Sequence, residues 1–190
     1  MHDDKARLRR QARQIRGTTS PQTLQAAGRA VAPRVLAWLE QMGARSVLVY
    51  VSVRRELPTG PTLQALWARG LTVAVPRIEG QTMQARRLSS DDVLVDGAFG
   101  VPTSEGPLVE RIDAVLCPGL SFTVDGARLG YGGGFYDRFL ATHPHALPAG
   151  LCVDEAVVDW LPVEPHDVRM HTLVTPTRRL RCNPDVTESG

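Results

Sequence analysis

Residues 128–140 read RLGYGGGFYDRFL and hold the densest set of chemically useful residues in the chain. Gly130, Gly132, Gly133 and Gly134 put four glycines within five residues, with Tyr131 among them. Phe135, Tyr136, Asp137 and Arg138 follow at once. Glycines permit positive φ and carry no β-carbon, so successive backbone N–H groups can turn inward around an anion. A helix starting at the end of the loop adds the positive end of its dipole, and phosphate is the anion that suits this arrangement. Neither common nucleotide fingerprint is present. No GKS/T follows the loop, no GxGxxG directly follows a strand, and Gly130, Gly132 and Gly134 form only the weaker GxGxG. A plain structural turn is the competing reading, but four glycines cost more chain entropy than a turn requires.

Two further features could join an anion site. Asp137 stands one turn into the expected helix. As a plain N-terminal acid it would complement the dipole. Beside bound phosphate it would be repelled unless a cation lay between them, and Mg²⁺ prefers one or two carboxylates together with phosphate oxygens. The N-terminal segment carries Lys5, Arg7, Arg9, Arg10, Arg13 and Arg16 on an expected helix with Leu8 and Ile15 as its main apolar members. Three readings fit it: a solvated face over a narrow apolar stripe, an anion site, or an RNA contact.

The elements that must position these residues can be read from the rest of the chain. Ser20-Pro21 is a helix start, and Leu24, Val31, Val35, Trp38, Leu39 and Met42 recur at helical spacing up to Gly43. Pro33 is a candidate kink. Ser46–Val53 is a β-branched buried strand, residues 61–69 are a helix ended by Gly70, and Leu71–Val75 is a second strand closed by Pro76. Strand, helix, strand implies a parallel sheet with crossover helices. Further strands are expected over 83–88, 112–117, 149–153 and 173–175, a helix over 135–142, and a loose tail from about Asn183. The fold class is therefore α/β, a single domain over residues 1–190 with a mainly parallel sheet flanked by helices on both faces. Ligands of such sheets bind beyond the carboxyl ends of the strands, which singles out the loops after Val53 and Cys117.

Composition removes other classes. The 190 residues suffice for one good core, and the hydrophobic share of 43% is ordinary for a globular protein. A net charge of +2 is too small to imply nucleic acid. Cys117, Cys152 and Cys182 are scattered, with no CxxC pair, so neither a zinc site nor a disulfide framework is indicated. No apolar run suggests a signal peptide or a membrane span, and a reducing cytoplasm is the expected location. His143 and His145 lie in an expected exposed turn without metal-ligand partners. Trp38, Trp67 and Trp160 are expected in the core or an interface.

The glycine segment closely resembles the signature of the 5-formyltetrahydrofolate cyclo-ligase family, which runs roughly RLGxGxGYYDRxL after a strand ending in PG and a phenylalanine. Cys117-Pro118-Gly119, Phe122, Gly126 and Arg128-Leu129-Gly130 stand in matching order. Lys5, Leu8 and Arg9 match an N-terminal KxxLR, Glu56 and Thr59 match an ExxT, and Pro76-Arg77 match a PR closing the second strand. His166-Asp167 and Leu173-Val174-Thr175 match the C-terminal part. Thr123, Val101 to Ser104 (Thr103 among them), Ala156, His171 and Phe135 depart from the common pattern.

The resemblance implies ATP- and Mg²⁺-dependent conversion of 5-formyltetrahydrofolate to 5,10-methenyltetrahydrofolate. The formyl oxygen would attack the γ-phosphorus, and the nitrogen at position 10 would then close the ring as phosphate leaves. Phosphoryl transfer asks mainly for positioning and charge neutralisation, so no nucleophilic triad is needed. By this resemblance Lys5, Arg9, Gly130, Tyr131, Gly132, Gly133, Gly134, Phe135 and Asp137 hold ATP. Asp137 and Asp167 hold Mg²⁺. Val51, Glu56 and Tyr136 meet the folate, with Glu56 accepting pterin N–H groups. Arg128 and Tyr136 serve catalysis, although a loop-closing salt bridge is an equal reading of Arg128. Arg54, Arg55 and Arg77 are candidates for the glutamate tail. The expected protein is a monomer that binds neither nucleic acid nor membrane. A relative that binds nucleotide or folate without turnover is the first alternative, and an RNA-binding module the second.

Overall fold

The computed structural model describes residues 2–183, so almost all of the expected tail lies outside the described residues. Helix α1 spans His2–Thr18, and α2 spans Pro21–Met42. Ser20 caps α2 by accepting from the Thr23 N–H at 3.1 Å, and Gly43 ends it with φ of 64°. The helix runs on through Pro33. After β1 (Ser46–Val49) come α3 (Gly60–Ala68), β2 (Thr72–Glu79) and β3 (Thr82–Arg87). Then follow β4 (Ala114–Cys117), a short hairpin of β5 (Ser121–Phe122) and β6 (Arg128–Leu129), and α4 (Phe135–Thr142). Strands β7 (Leu147–Leu151), β8 (Thr172–Val174) and β9 (Arg179–Arg181) complete the described chain.

Seven strands form one sheet in the order β3-β2-β1-β4-β7-β8-β9. The pairs β2–β1, β1–β4, β4–β7 and β7–β8 are parallel, and only the edges, β3 and β9, run antiparallel. Period-2 alternation divides the core. Val47 and Val49 pack with Val31, Val35, Trp38, Leu63 and Leu66 under α2 and α3. Leu48, Ala74, Val115 and Leu173 pack on the other face with Phe122, Phe139 and Leu140, beneath α4. Helices thus cover both faces, as a sheet with apolar residues on both sides requires. A smaller cluster of Leu120, Leu129 and Leu161 receives Leu8 and Ala12 of α1.

Several boundaries differ from the sequence pattern for physical reasons. Strand β1 stops at Val49, not Val53, because Tyr50 turns to hold its own loop: the Tyr50 hydroxyl donates to the Leu57 carbonyl, and the Tyr50 carbonyl accepts from Thr59 Oγ1. Strand β2 continues through Pro76. Pro76 lies opposite Ala85, whose carbonyl accepts from the Val109 N–H on the far side of β3, so this pair exchanges no ladder bond and the missing N–H takes nothing from the β2–β3 ladder. Trp160 is 66% exposed and belongs to no core, unlike Trp38. Strands β5, β6 and β9, two or three residues each, are too short to show a period in the sequence.

The order of strands reverses between β1 and β4, and the loops leaving these two strands lie side by side there. The β1 loop is fixed from behind by α2, where a β-carbon on Gly28 would come within 2.6 Å of the Pro58 carbonyl oxygen. Gly28→Val should therefore push the loop outward and lower the unfolding free energy by about 1–3 kcal/mol, despite valine's better helix propensity. Urea denaturation at constant m-value checks this.

Candidate functional site

The cleft at the switch point is lined by Arg16 and Thr19 from α1 and its end, Tyr50, Arg55, Glu56 and Leu57 from the β1 loop, Pro118 and Gly119 after β4, Tyr131, and Leu151 to Val153 after β7. Each element reaches it for a local reason. Residues 53–56 close a tight turn: the Glu56 N–H donates to the Val53 carbonyl, and the Val53 N–H donates to Glu56 Oε2 at 2.9 Å. Arg54 sits in that turn at φ of 56°, a left-handed conformation rare outside glycine. Thr59, the last residue of the ExxT pattern, is buried and holds Tyr50 and Ser52, so its role is to shape the loop. Gly119 is required by packing: a β-carbon there would lie 2.5 Å from the buried Phe122 ring.

The glycine loop begins where β6 ends. Gly132 and Gly134 have φ of 109° and 65°, and Gly134 leads directly into α4. Among the described residues none accepts a hydrogen bond from the backbone N–H groups of residues 131–134. The loop therefore offers a row of free donors beside a helix N-terminus, the arrangement that suits phosphate. Arg138 braces the outer wall, donating to the Gly133 carbonyl at 2.8 Å and lying over the Phe135 ring. Phe99, exposed at φ of 59°, meets the same ring at 5.8 Å.

Arg128 and Asp137 bracket the loop. Arg128, with only 6% of its side chain exposed, pairs with Asp137 Oδ2 at 2.9 Å and donates to the Pro118 carbonyl. Asp137 Oδ1 accepts from the Val168 N–H at 3.1 Å. Burial alone would lower the Arg128 pKa, but the Cys117 and Asp137 side chains outweigh it and the guanidinium is held above its ordinary value. Of the two readings of Arg128, the loop-closing salt bridge is the one formed. Tyr136 lies beneath the Arg128 guanidinium, 5.6 Å from its ring centre, and burial pushes its phenol well up.

Helix α1 crosses this assembly with one face inward, at Lys5, Arg9, Ala12 and Arg16. Lys5 is only 5% exposed, and its ammonium lies 2.6 Å from both Glu164 and Asp167. Burial lowers the Lys5 pKa, yet the two carboxylates more than compensate and hold it raised. Burial likewise raises Asp167, and its hydrogen bonds to Lys5 and the Glu164 N–H bring it below the usual carboxylate value. Arg9 Nε donates to the Gly130 carbonyl at 2.9 Å, placing the guanidinium against Gly132. Arg16 reaches the Gly119 carbonyl and the Tyr131 hydroxyl.

The structure therefore gathers Lys5, Arg9, Glu56, Arg128, Gly130 to Asp137 and Asp167 at one end of the sheet. Val51 is half-buried but stands outside the cleft lining, and Arg77 is engaged with Glu79. The departures at Thr103, Thr123, Ala156 and His171 also lie outside the lining, and Thr103 and Thr123 are buried in local hydrogen bonds. Sequence reasoning left Glu164, Phe99 and the particular role of Arg16 unread. Arg16 alone carried a signal, as a basic residue in the last turn of a helix. Cys117 and Cys152 are buried thiols pushed up to about 12 by burial, which removes them as nucleophiles.

A mainly parallel α/β sheet, with a cation-edged cleft and a free-donor glycine loop at its switch point, places the chain among the doubly wound α/β proteins whose loops suit an anion. Within that class the chain belongs to the 5-formyltetrahydrofolate cyclo-ligase family, whose model matches residues 1–176. It is 30% identical over 182 residues to the 5-formyltetrahydrofolate cyclo-ligase of Escherichia coli K12, covering 87% of this chain and 97% of that protein. The Saccharomyces cerevisiae enzyme of the same name is 28% identical, with 88% and 92% covered. Among solved structures, the 5,10-methenyltetrahydrofolate synthetase of Aquifex aeolicus superposes with a TM-score of 0.83 at 26% identity, covering 98% of this chain and 95% of that one. The Mycoplasma pneumoniae synthetase, at 21% identity and a TM-score of 0.74 over 91% and 99%, shares the fold.

Two tests follow from the ion pairs. Asp137→Ala strands a buried guanidinium and should cost about 3–5 kcal/mol of stability, read by urea denaturation, so any activity loss must be corrected for unfolding. The Asp167 carboxylate has a depressed folded pKa. Its contribution is complete above its unfolded value of about 3.9 and disappears as pH falls through the lower folded value. Urea midpoints measured from about pH 6 to about pH 3 should fall less steeply in Lys5→Met than in the parent, because the methionine leaves no pair to lose.

Proposed function

We propose that the chain converts 5-formyltetrahydrofolate to 5,10-methenyltetrahydrofolate, consuming ATP with Mg²⁺. The observation that carries this reading is the meeting of the free-donor glycine loop with the Glu56 cleft at one switch point, in a chain that belongs to the cyclo-ligase family over residues 1–176. The loop N–H groups, with Arg9 beside Gly132, receive the triphosphate. Glu56, anchored by the Val53 N–H, accepts donors from the pterin. The formyl oxygen then lies toward the phosphate loop and attacks the γ-phosphorus, with ADP leaving. Attack of the position-10 nitrogen on the activated carbon closes the ring, loses the nitrogen's proton and expels phosphate with the former formyl oxygen.

The residues present fit a metal. Asp137 uses two of its roughly four acceptor positions, and Asp167 Oδ1, beyond the oxygen that binds Lys5, has only the exposed His166 ring near it, at 3.8 Å. Asp137 and Asp167 would hold Mg²⁺, which when bound neutralises charge on the transferring phosphoryl group. Arg128 keeps Asp137 in place and Tyr136 walls the junction. The reading includes a monomer working in the cytoplasm. It is supported by three free buried thiols, and among the described residues no helix is long and apolar enough to cross a membrane.

Purified protein given 5-formyltetrahydrofolate, ATP and Mg²⁺ should form the methenyl product, followed by its longer-wavelength absorbance, with one ADP per ring closed. Omitting ATP or chelating Mg²⁺ should stop it, and ATP hydrolysis without folate should be slow. ATP consumption that ignores folate would sink the reading. Binding of both substrates without product would leave the non-catalytic relative as the better account.

A further inference from the structure

The cleft that should receive a bicyclic pterin contains only about 20 Å³ of free space, room for about one water. Tyr131 lines it, its hydroxyl accepting from Arg16 at 2.6 Å with the Glu56 carboxylate next to it. The second arm of the Arg16 guanidinium is fixed on the Gly119 carbonyl, and the Arg16 side chain also lies against the Tyr131 ring, 5.9 Å from its centre. Glu56 is fixed by the Val53 N–H. An acceptor and a donor therefore stand rigidly on either side of one hydroxyl.

A pterin edge presents the same chemistry on a larger scale: donors at the 2-amino group and N3, then an acceptor at the 4-oxo oxygen. A carboxylate can take the two donors, but it would repel the oxygen. A guanidinium next to it removes that conflict. We propose that Arg16 is the residue that recognises the 4-oxo group of the substrate, and that Tyr131 is a placeholder whose hydroxyl the pterin edge displaces. Gly130 and Gly132 flank Tyr131, and Gly132 already occupies positive φ, so the tyrosine can swing out on the phosphate loop itself. Filling the folate cleft thereby repositions the loop meant for ATP. The inference rests on the cyclo-ligase reading and assigns a specificity determinant within it.

The test compares binding of 5-formyltetrahydrofolate with that of its 4-amino analogue, in which the 4-position acceptor becomes a donor and N3 gives up its hydrogen, by direct titration without ATP. The parent protein should prefer the 4-oxo ligand. Arg16→Ala should weaken the 4-oxo ligand by about tenfold or more, as expected for loss of a charged hydrogen bond, and leave the 4-amino analogue within about twofold, narrowing the discrimination to the part that the changed N3 edge sets at Glu56. Tyr131→Phe, which removes the displaced hydroxyl and keeps the ring, should bind the 4-oxo ligand more tightly than the parent. Equal weakening of both ligands in Arg16→Ala would make Arg16 a structural anchor and overturn the proposal. So would unchanged binding of both, or weaker 4-oxo binding in Tyr131→Phe. A parent protein that binds neither ligand would instead overturn the cyclo-ligase reading itself.

Discussion

The buried pair between Arg128 and Asp137 is the constraint on which the functional end of the molecule depends. Arg128 leaves the short hairpin and Asp137 lies in the first turn of α4, so the pair closes the two ends of the glycine loop onto each other. A loop with so many glycines has no conformation of its own; its shape comes from fixed ends. The same aspartate receives the Val168 N–H, which draws in the segment carrying Glu164 and Asp167. Desolvating a guanidinium is costly, and here the Pro118 carbonyl and the carboxylate share the compensation.

From that fixed frame, α1 is attached mostly by charge. Its apolar contribution is narrow, Leu8 and Ala12. Lys5 is clamped by two carboxylates, Arg9 holds the glycine loop and Arg16 holds the cleft wall. The Arg9 and Arg16 anchors fall on the glycine loop and the cleft wall, where the proposed substrates would sit. The helix is therefore part of the site and not only a cover over it.

Local chemistry makes much of this arrangement legible in the sequence. The limits of α4 agree with the expected 135–142, because a glycine cap followed by an aromatic-acid-base run has few alternatives. The start and stop of α2 follow from Ser20-Pro21 and Gly43. The parallel sheet follows from strand-helix-strand order. Pairing across distance is what a linear pattern does not carry. Lys5 and Arg9 look alike as basic residues four apart, and only the fold shows that one is sequestered by acids 159 and 162 residues away while the other faces the glycine loop. Pro76 looks like a strand end because its ladder partner is invisible in the sequence. Arg128 could be read from the sequence as closing the loop, but not which acid it would meet; the fold places Asp137, nine residues later, opposite it.

An element held by ion pairs and carbonyl contacts has a different mechanical character from one held by buried carbon. Each polar anchor of α1 can exchange its partner for water or ligand without opening the apolar layers under α2, α3 and α4. Amide protons of residues 2–18 should thus exchange through local detachment, far faster than those of the central strands, and the exchange should quicken as salt screens the charges. In such a design the sheet supplies permanence, while release is left to a helix that can let go.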